Sequence, residues 1–291
     1  MKPERYTIKQ FNAQFPTDAA CLEFIFQKRF PDGGLCKCGK KDSFYRVARR
    51  RCYSCAHCGH QVSPCEGTIF HKSSTALRSW FFAMFLMTSS KNGVSAKELE
   101  RHVGVTYKTA WRMAHQIRKL MKQGGGLLTG VVEADETYIG GYRRMSAKME
   151  NKKAVVAVVQ RGGEIRTKAV VRINSWQLKQ VLDANLSPSA HLITDELSGY
   201  RRPGKAFASH QSVNHGHKEY VRAEVHTNSV EGFWSQLKRS VNGTFHHVSR
   251  QHLQGYVDEF AFRYNRRAAV QLAPIFRHLS ERVAERHVAV N

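Results

Sequence analysis

Val131-Val-Glu-Ala-Asp135-Glu-Thr-Tyr-Ile139 decides how the second half of the chain is to be read. It is rich in β-branched residues and ends at Gly140-Gly141, so it reads as a strand. With Val132 and Ala134 on one face, Val131, Glu133 and Asp135 share the other. A carboxylate in mid-strand is costly unless something pairs it, and hard divalent cations can do so. Ala154–Gln160 and Ile165–Val171 also read as strands, with a turn at Gly162-Gly163. A helix is expected over 175–185, a brief buried strand over His191–Asp195, and helices near 228–241 and 249–265. The stretch 200–226 is basic and His-rich without clear periodicity, and the tail from about 276 reads as a peripheral helix.

Further acidic motifs follow the first: Thr194-Asp195-Glu196 and Asn228-Ser-Val-Glu231, with 35 residues between Asp195 and Glu231. Taken singly, Asp195 is a turn residue and Glu231 a partner for Lys238 or Arg239. Taken in order, strands laid side by side bring Asp135 and Asp195 together, and a helix over the sheet adds Glu231. Such a triad can hold two Mg²⁺ about 3.5–4 Å apart, one activating a water or 3′-OH and the other steadying a leaving oxygen. Lys238 lies seven residues beyond Glu231 on the same helical face, within reach of a phosphate, and Asn228 lies one turn before it. Glu133, Glu136 and Glu196 read as supporting or turn residues rather than ligands, and His210, His215, His217 and His226 as solvent-exposed.

These carboxylates sit in a 291-residue chain with 46 Lys+Arg against 23 Asp+Glu, a formal charge of +23. That excess draws polyanions, of which nucleic acid is the usual one. The opening Met1-Lys-Pro-Glu-Arg-Tyr6 has no apolar run, and the longest apolar stretch, Trp80 to Met87, is too short to span a bilayer. The expectation is a cytoplasmic, nucleoid-associated protein with no membrane partner, whose cysteines are reduced.

Those cysteines cluster. Cys36-x-Cys38-Gly39 and Cys55-x-x-Cys58-Gly59 lie 16 residues apart and read as two knuckles on one tetrahedral zinc ion. The first pair has one intervening residue rather than two, and Cys52 is a possible substitute ligand. Cys21 and Cys65 read as packed thiols. A helix over 18–30, capped by Thr17 or Asp18, precedes this ribbon.

Helices at 75–90, 95–102 and 106–122 follow, the second opened by Ser95-Ala-Lys-Glu98, with the spacing of a helix-turn-helix. On the third, Tyr107, Ala110, Trp111, Ala114, Ile117 and Met121 form the expected packed face. Lys108, Arg112, His115, Arg118, Lys119 and Lys122 populate the remainder, facing phosphates. Trp80, Phe81, Phe82 and Phe85 read as core. Gly124-Gly-Gly126 is the clearest linker.

With these motifs on the page, the chain resembles the bacterial insertion-sequence transposases of the DDE class, in particular the zinc-ribbon ISXO-like group. The resemblance rests on the ribbon at Cys36–Cys58, Gly67-Thr-Ile-Phe-His71, Ala110-Trp111 and Glu133-Ala-Asp-Glu-Thr-Tyr-Ile-Gly-Gly141. Thr194-Asp195, His226-Thr-Asn-Ser-Val-Glu-Gly-Phe-Trp234 with Lys238, and Phe262-Arg-Tyr-Asn-Arg266 extend it.

It implies an α/β, RNase H-like catalytic domain, a mixed five-stranded sheet with flanking helices. It also implies Mg²⁺ or Mn²⁺ dependence, recognition of terminal inverted repeats in double-stranded DNA, and a homo-oligomeric synaptic complex on target DNA. Asp135 and Asp195 map onto the first two catalytic positions, and Glu231 or, in reserve, Asn228 onto the third. Lys108, Arg112, Arg118, Lys119, Lys238 and Arg239 are the expected DNA contacts. Domains are expected at 1–66 (helix and zinc ribbon), 67–126 (helix-turn-helix), 127–275 (catalytic) and 276–291 (tail). A zinc-ribbon regulator without catalysis would explain the charge and the first 125 residues, but not the placed carboxylates. A repair or resolvase nuclease would share the fold and cut branched DNA.

Overall fold

The computed structural model describes residues 6–140, 153–213, 226–267 and 282. His215, His217 and the tail from 276 lie outside them, apart from the helical residue at 282. Two compact units emerge, one of residues 1–120 with 269–291 and the other of 121–268. Among the described residues no helix is long and apolar enough to cross a membrane.

The first unit opens with α1 (Ile8–Gln14), closed by a reciprocal cap between Thr7 and Gln10, and α2 (Asp18–Arg29). Thr17 caps α2 through the Ala20 amide. Strands β1 (Phe44–Arg46), β2 (Tyr53–Cys55) and β3 (Gln61–Val62) form an antiparallel ribbon. The ribbon rests on α2, where Tyr53 stacks on Phe26 at 3.9 Å between ring centroids. Helices α3 (Leu77–Ser89), α4 (Ala96–Val103) and α5 (Tyr107–Leu120) follow. Asp18, freed from capping its own helix, caps α3 instead, accepting from the Leu77 and Arg78 amides at 2.9 and 3.0 Å. Of the aromatic run expected as core, Trp80, Phe81 and Phe85 are buried with Phe11 and Phe15, while Phe82 is only half-buried.

The chain turns from α4 to α5 in three residues. Gly104 opens the turn at φ 72°, where a β-carbon would be strained. The buried face of α5 is Ala110, Met113, Ala114, Ile117, Arg118 and Leu120. Two sequence expectations are corrected here. Tyr107 and Trp111 were expected to pack, yet are 49% and 39% exposed, Trp111 lying against His115 at 4.1 Å. Arg118 was expected to face phosphates, yet is only 2% exposed. The buried stripe is rotated toward Met113, so positions four apart from it, not from Tyr107, turn inward.

The second unit is a five-stranded mixed sheet between helices. Its elements are β4 (Val131–Ile139), β5 (Lys153–Gln160), β6 (Ile165–Val170), α6 (Ser175–Asn185), β7 (His191–Thr194), β8 (Ser209–Ser212), α7 (Asn228–Ser240) and α8 (Leu253–Asn265). The order is β6-β5-β4-β7-β8, antiparallel across β6, β5 and β4 and parallel from β4 to β7 to β8. This is the RNase H-like arrangement.

The β4 pleat sorts its side chains as expected. Val132 and Ala134 join Val156, Val158, Leu178 and Leu182 in the core under α6. On the opposite face α7 and α8 pack Val230, Phe233, Trp234, Leu237 and Phe260 over Val155, Ala157 and Val159. Sequence patterning missed β8, a polar Ser-His-Gln-Ser edge strand without hydrophobic alternation.

Candidate active site

The parallel register pairs Glu133 with Ile193. Two residues farther on, the same register sets Asp195, just past the end of β7, beside Asp135 on β4. Carboxylate oxygens of Asp135, Glu136 and Asp195 all lie within 4.8 Å of one another. Asp135 accepts from the Glu136 amide at 2.8 Å and from Trp234 Nε1 at 2.9 Å. Asp195 accepts from the Leu197 amide at 3.1 Å, which curls the chain away from the strand. Thr194, fully buried, holds the turn between the Asp195 carbonyl and His210 Nε2, at 2.8 and 2.9 Å. A β-carbon on Gly204 would collide with the His210 ring, so glycine there lets the histidine in.

Glu136 arrives from the other face of β4. Its Oε2 accepts from the fully buried Tyr200 hydroxyl at 2.7 Å. The sequence reading gave Glu136 a supporting or turn part, and regular strand alternation would indeed point it away from Asp135. The pairing of β4 with β7 ends at Glu133, however, and beyond it side chains of both faces meet around the open edge. Its adjacency to Asp135 was the available signal. Tyr200 had none, its partner being 64 residues distant, and Trp234, though part of a motif that carries the resemblance, gave no sign of its bond to Asp135 99 residues away.

Crowding these acids has an electrostatic consequence. Burial, then the charge of Asp195, pushes the Asp135 carboxyl up to about 6. Burial and the same neighbour push Glu136 up to about 7. Three converging oxygen donors, unfavourable together without a counter-charge, fit a hard divalent cation such as Mg²⁺ or Mn²⁺.

On α7 the inward positions are Val230, Phe233, Trp234 and Leu237, leaving Asn228, Glu231, Ser235 and Lys238 as an exposed row at helical spacing. Glu231 is close enough to contribute to the rise at Asp135. It stands outside the three-carboxylate cluster and accepts from the Thr227 hydroxyl at 2.9 Å. Arg239 is exposed on the same helix. On α5, Lys108, Arg112 and Lys119 are exposed.

Glu133 lies behind the site, fully buried. It accepts from the Ser229 and Val230 amides at 2.9 and 3.2 Å, the Ser229 hydroxyl at 3.0 Å and Arg161 Nε at 2.9 Å. His226 Nδ1 is 3.4 Å away.

In the first unit the Sγ atoms of Cys36, Cys38, Cys55 and Cys58 lie within 4.8 Å of one another. Cys36 and Cys58 are 3.5 Å apart, Cys38 and Cys55 3.8 Å. A tetrahedral zinc bound at about 2.3 Å to each sulfur sets them about 3.8 Å apart, so the donors fit. Cys52 is outside the group, its thiol directed at Gln61 Oε1. The one-residue Cys36-x-Cys38 spacing therefore still closes a four-sulfur site. Burial raises the Cys21 thiol to about 12 and Cys65 to about 11, as suits packed thiols.

Residues 127–265 match the family described as ISXO2-like transposase domain, and residues 16–61 match the transposase zinc-ribbon domain. An uncharacterized protein in transposable element ISH50 of Halobacterium salinarum is 26% identical over 273 residues, covering 86% of this chain and 91% of that protein. A chain of the simian T-cell lymphotropic virus intasome, solved in complex with PP2A regulatory subunit B56 gamma, is 14% identical with a TM-score of 0.31. That match spans 56% of this chain and 63% of the intasome chain.

Proposed function

This chain belongs to the ISXO2-like transposases, with a transposase zinc ribbon before the catalytic domain, and from that membership we propose that it cuts and joins the ends of its own insertion sequence. The observation that supports this most directly is the pair Asp135, on β4, and Asp195, just past the end of its parallel neighbour β7, with Glu136 beside them. Bound there, a pair of Mg²⁺ or Mn²⁺ ions would polarise the scissile phosphodiester and the group that attacks it.

Asp135 is the central ligand in this reading, Asp195 the second, and Glu231 completes the set with Asn228 in reserve. Water attacks phosphorus at the element end and gives up a proton, the P–O3′ bond breaks, and the departing 3′ oxygen takes up a proton. The freed 3′-OH then attacks a target phosphodiester, exchanging one P–O bond for another. Lys238 and Arg239 steady the adjacent phosphates, and α4 with α5 acts as a helix-turn-helix on the terminal inverted repeats. Its DNA contacts are Lys108, Arg112 and Lys119, and buried Arg118 is not among them. Zinc on Cys36, Cys38, Cys55 and Cys58 holds the ribbon, and copies of the chain pair the two ends in a synaptic complex.

Asp135→Ala is expected to lower end cleavage and strand transfer by at least about a thousandfold, about 4 kcal/mol of barrier, with DNA binding retained. Full activity in that variant would refute the mechanism. Metal-dependent nicking of supercoiled plasmid separates this reading from a regulator without catalysis. Branched-DNA cleavage indifferent to inverted repeats would instead favour a resolvase.

A further inference from the structure

A helix begins with amides that lack partners, and the residue before the helix usually supplies an acceptor. Thr227 occupies that position on α7 but makes no such bond. The acceptor comes instead from the sheet: Glu133 takes the Ser229 and Val230 amides, the second and third of the helix, and the Ser229 hydroxyl. A full negative charge, buried at a helix N-terminus, is the strongest form of this cap. Relieved of capping, the Thr227 hydroxyl donates to Glu231 Oε1 at 2.9 Å. The arrangement is braced from behind by Arg161, which donates to Glu133 and, at 3.0 Å, to the His226 carbonyl just before the helix.

The geometry has a second anchor. Asp135, two residues along the same strand, accepts from Trp234 on the next turn of α7. Glu133 and Asp135 therefore fasten β4 to α7 at successive points, and the spacing between Asp135 and the exposed row Asn228–Glu231–Lys238 depends on where Glu133 holds the helix end. From this we infer that Glu133 is a positioning residue for the catalytic centre, setting through the α7 N-terminus and Thr227 the place from which the third ligand reaches the cations. The inference rests on the catalytic reading of Asp135, Asp195 and α7 given above.

Mn²⁺-dependent nicking of supercoiled plasmid by the full chain tests it. Glu133→Asp keeps the charge and withdraws it by one methylene. The Mn²⁺ concentration for half-maximal nicking is expected to rise at least about tenfold, the usual cost of disturbing a group that orients a ligand. Plasmid binding should remain at the wild-type level. Ser229→Ala, which removes only the hydroxyl bond, is the milder companion should Glu133→Asp fold poorly, and a smaller rise in the same direction is expected of it. A cap that served stability alone would lower the melting temperature and leave the Mn²⁺ midpoint unchanged. An unchanged midpoint in folded Glu133→Asp, or in Ser229→Ala where the former does not fold, overturns the inference while nicking still depends on Asp135. Equal nicking by wild type and Asp135→Ala overturns the catalytic reading itself, and this role with it.

Discussion

Asp135 and Glu136 hold their protons more tightly in the folded chain than they would in an unfolded one, with values of about 6 and about 7. Between their ordinary range near 4 and those values, the native state binds more protons than the unfolded state. Stability of the metal-free protein therefore falls as pH rises through that window. A divalent cation binds the ionised forms and reverses the trend. Addition of Mn²⁺ should accordingly raise the melting temperature of wild-type protein by about 3 °C more at pH 8 than at pH 5. Asp135→Asn should abolish the difference, and a Mn²⁺ shift of equal size at both pH values would mean that these acids do not bind the ion. That Asp135 and Asp195 come together was legible in the sequence, because a carboxylate within or at the end of an apolar strand violates the strand's own pattern. Glu136 was not, because alternation describes a strand paired on both sides and β4 loses β7 after Glu133.

Elements with a hydrophobic period were recovered closely: 131–139 and 175–185 were read to the residue. β8 and α1 were not, the first being polar and the second only seven residues long, though Thr7 and Gln10 spell out its cap. The remote caps were beyond sequence reading altogether, since Asp18 on α3 and Glu133 on α7 join segments 59 to 97 residues apart. The same long-range logic closes the sheet edge. Amides of Gln254 and Asn265 on α8 bond the β6 backbone at Ala169, Thr167 and Ile165, occupying the positions where a foreign strand would pair. The ribbon is the element least able to stand without help. Its strands are two or three residues long, and four sulfurs take the place of a core. Purified protein should contain about one zinc per chain in this ribbon. Cys55→Ser should lose it and the ribbon's protection from proteolysis, whereas Cys52→Ser should retain both. Zinc loss in Cys52→Ser would move Cys52 into the ligand set.

The charge of +23 belongs to the whole molecule rather than to any element. A surplus of that size attracts any duplex, while α5 presents Lys108, Arg112 and Lys119 beside the exposed Tyr107 and Trp111, groups that can distinguish one sequence from another. These contributions separate by salt. Phosphate contacts release counterions, so affinity for duplex DNA of arbitrary sequence should fall on the order of a thousandfold between 50 and 200 mM salt if about six phosphates are neutralised. Contacts to base edges do not depend on salt in that way, so terminal-repeat and arbitrary duplexes held by the same phosphate contacts should weaken in parallel, with a ratio that stays above one. Fluorescence anisotropy with labelled duplexes, repeated for Asp135→Ala, measures this. The variant should follow the wild-type line, since it removes one acid at a cation site and leaves the basic surface intact. A slope near zero would remove nucleic acid as the explanation for the charge, whatever the carboxylates do. A steep slope with a ratio of one would leave the charge explained and deny α5 its part in choosing the sequence.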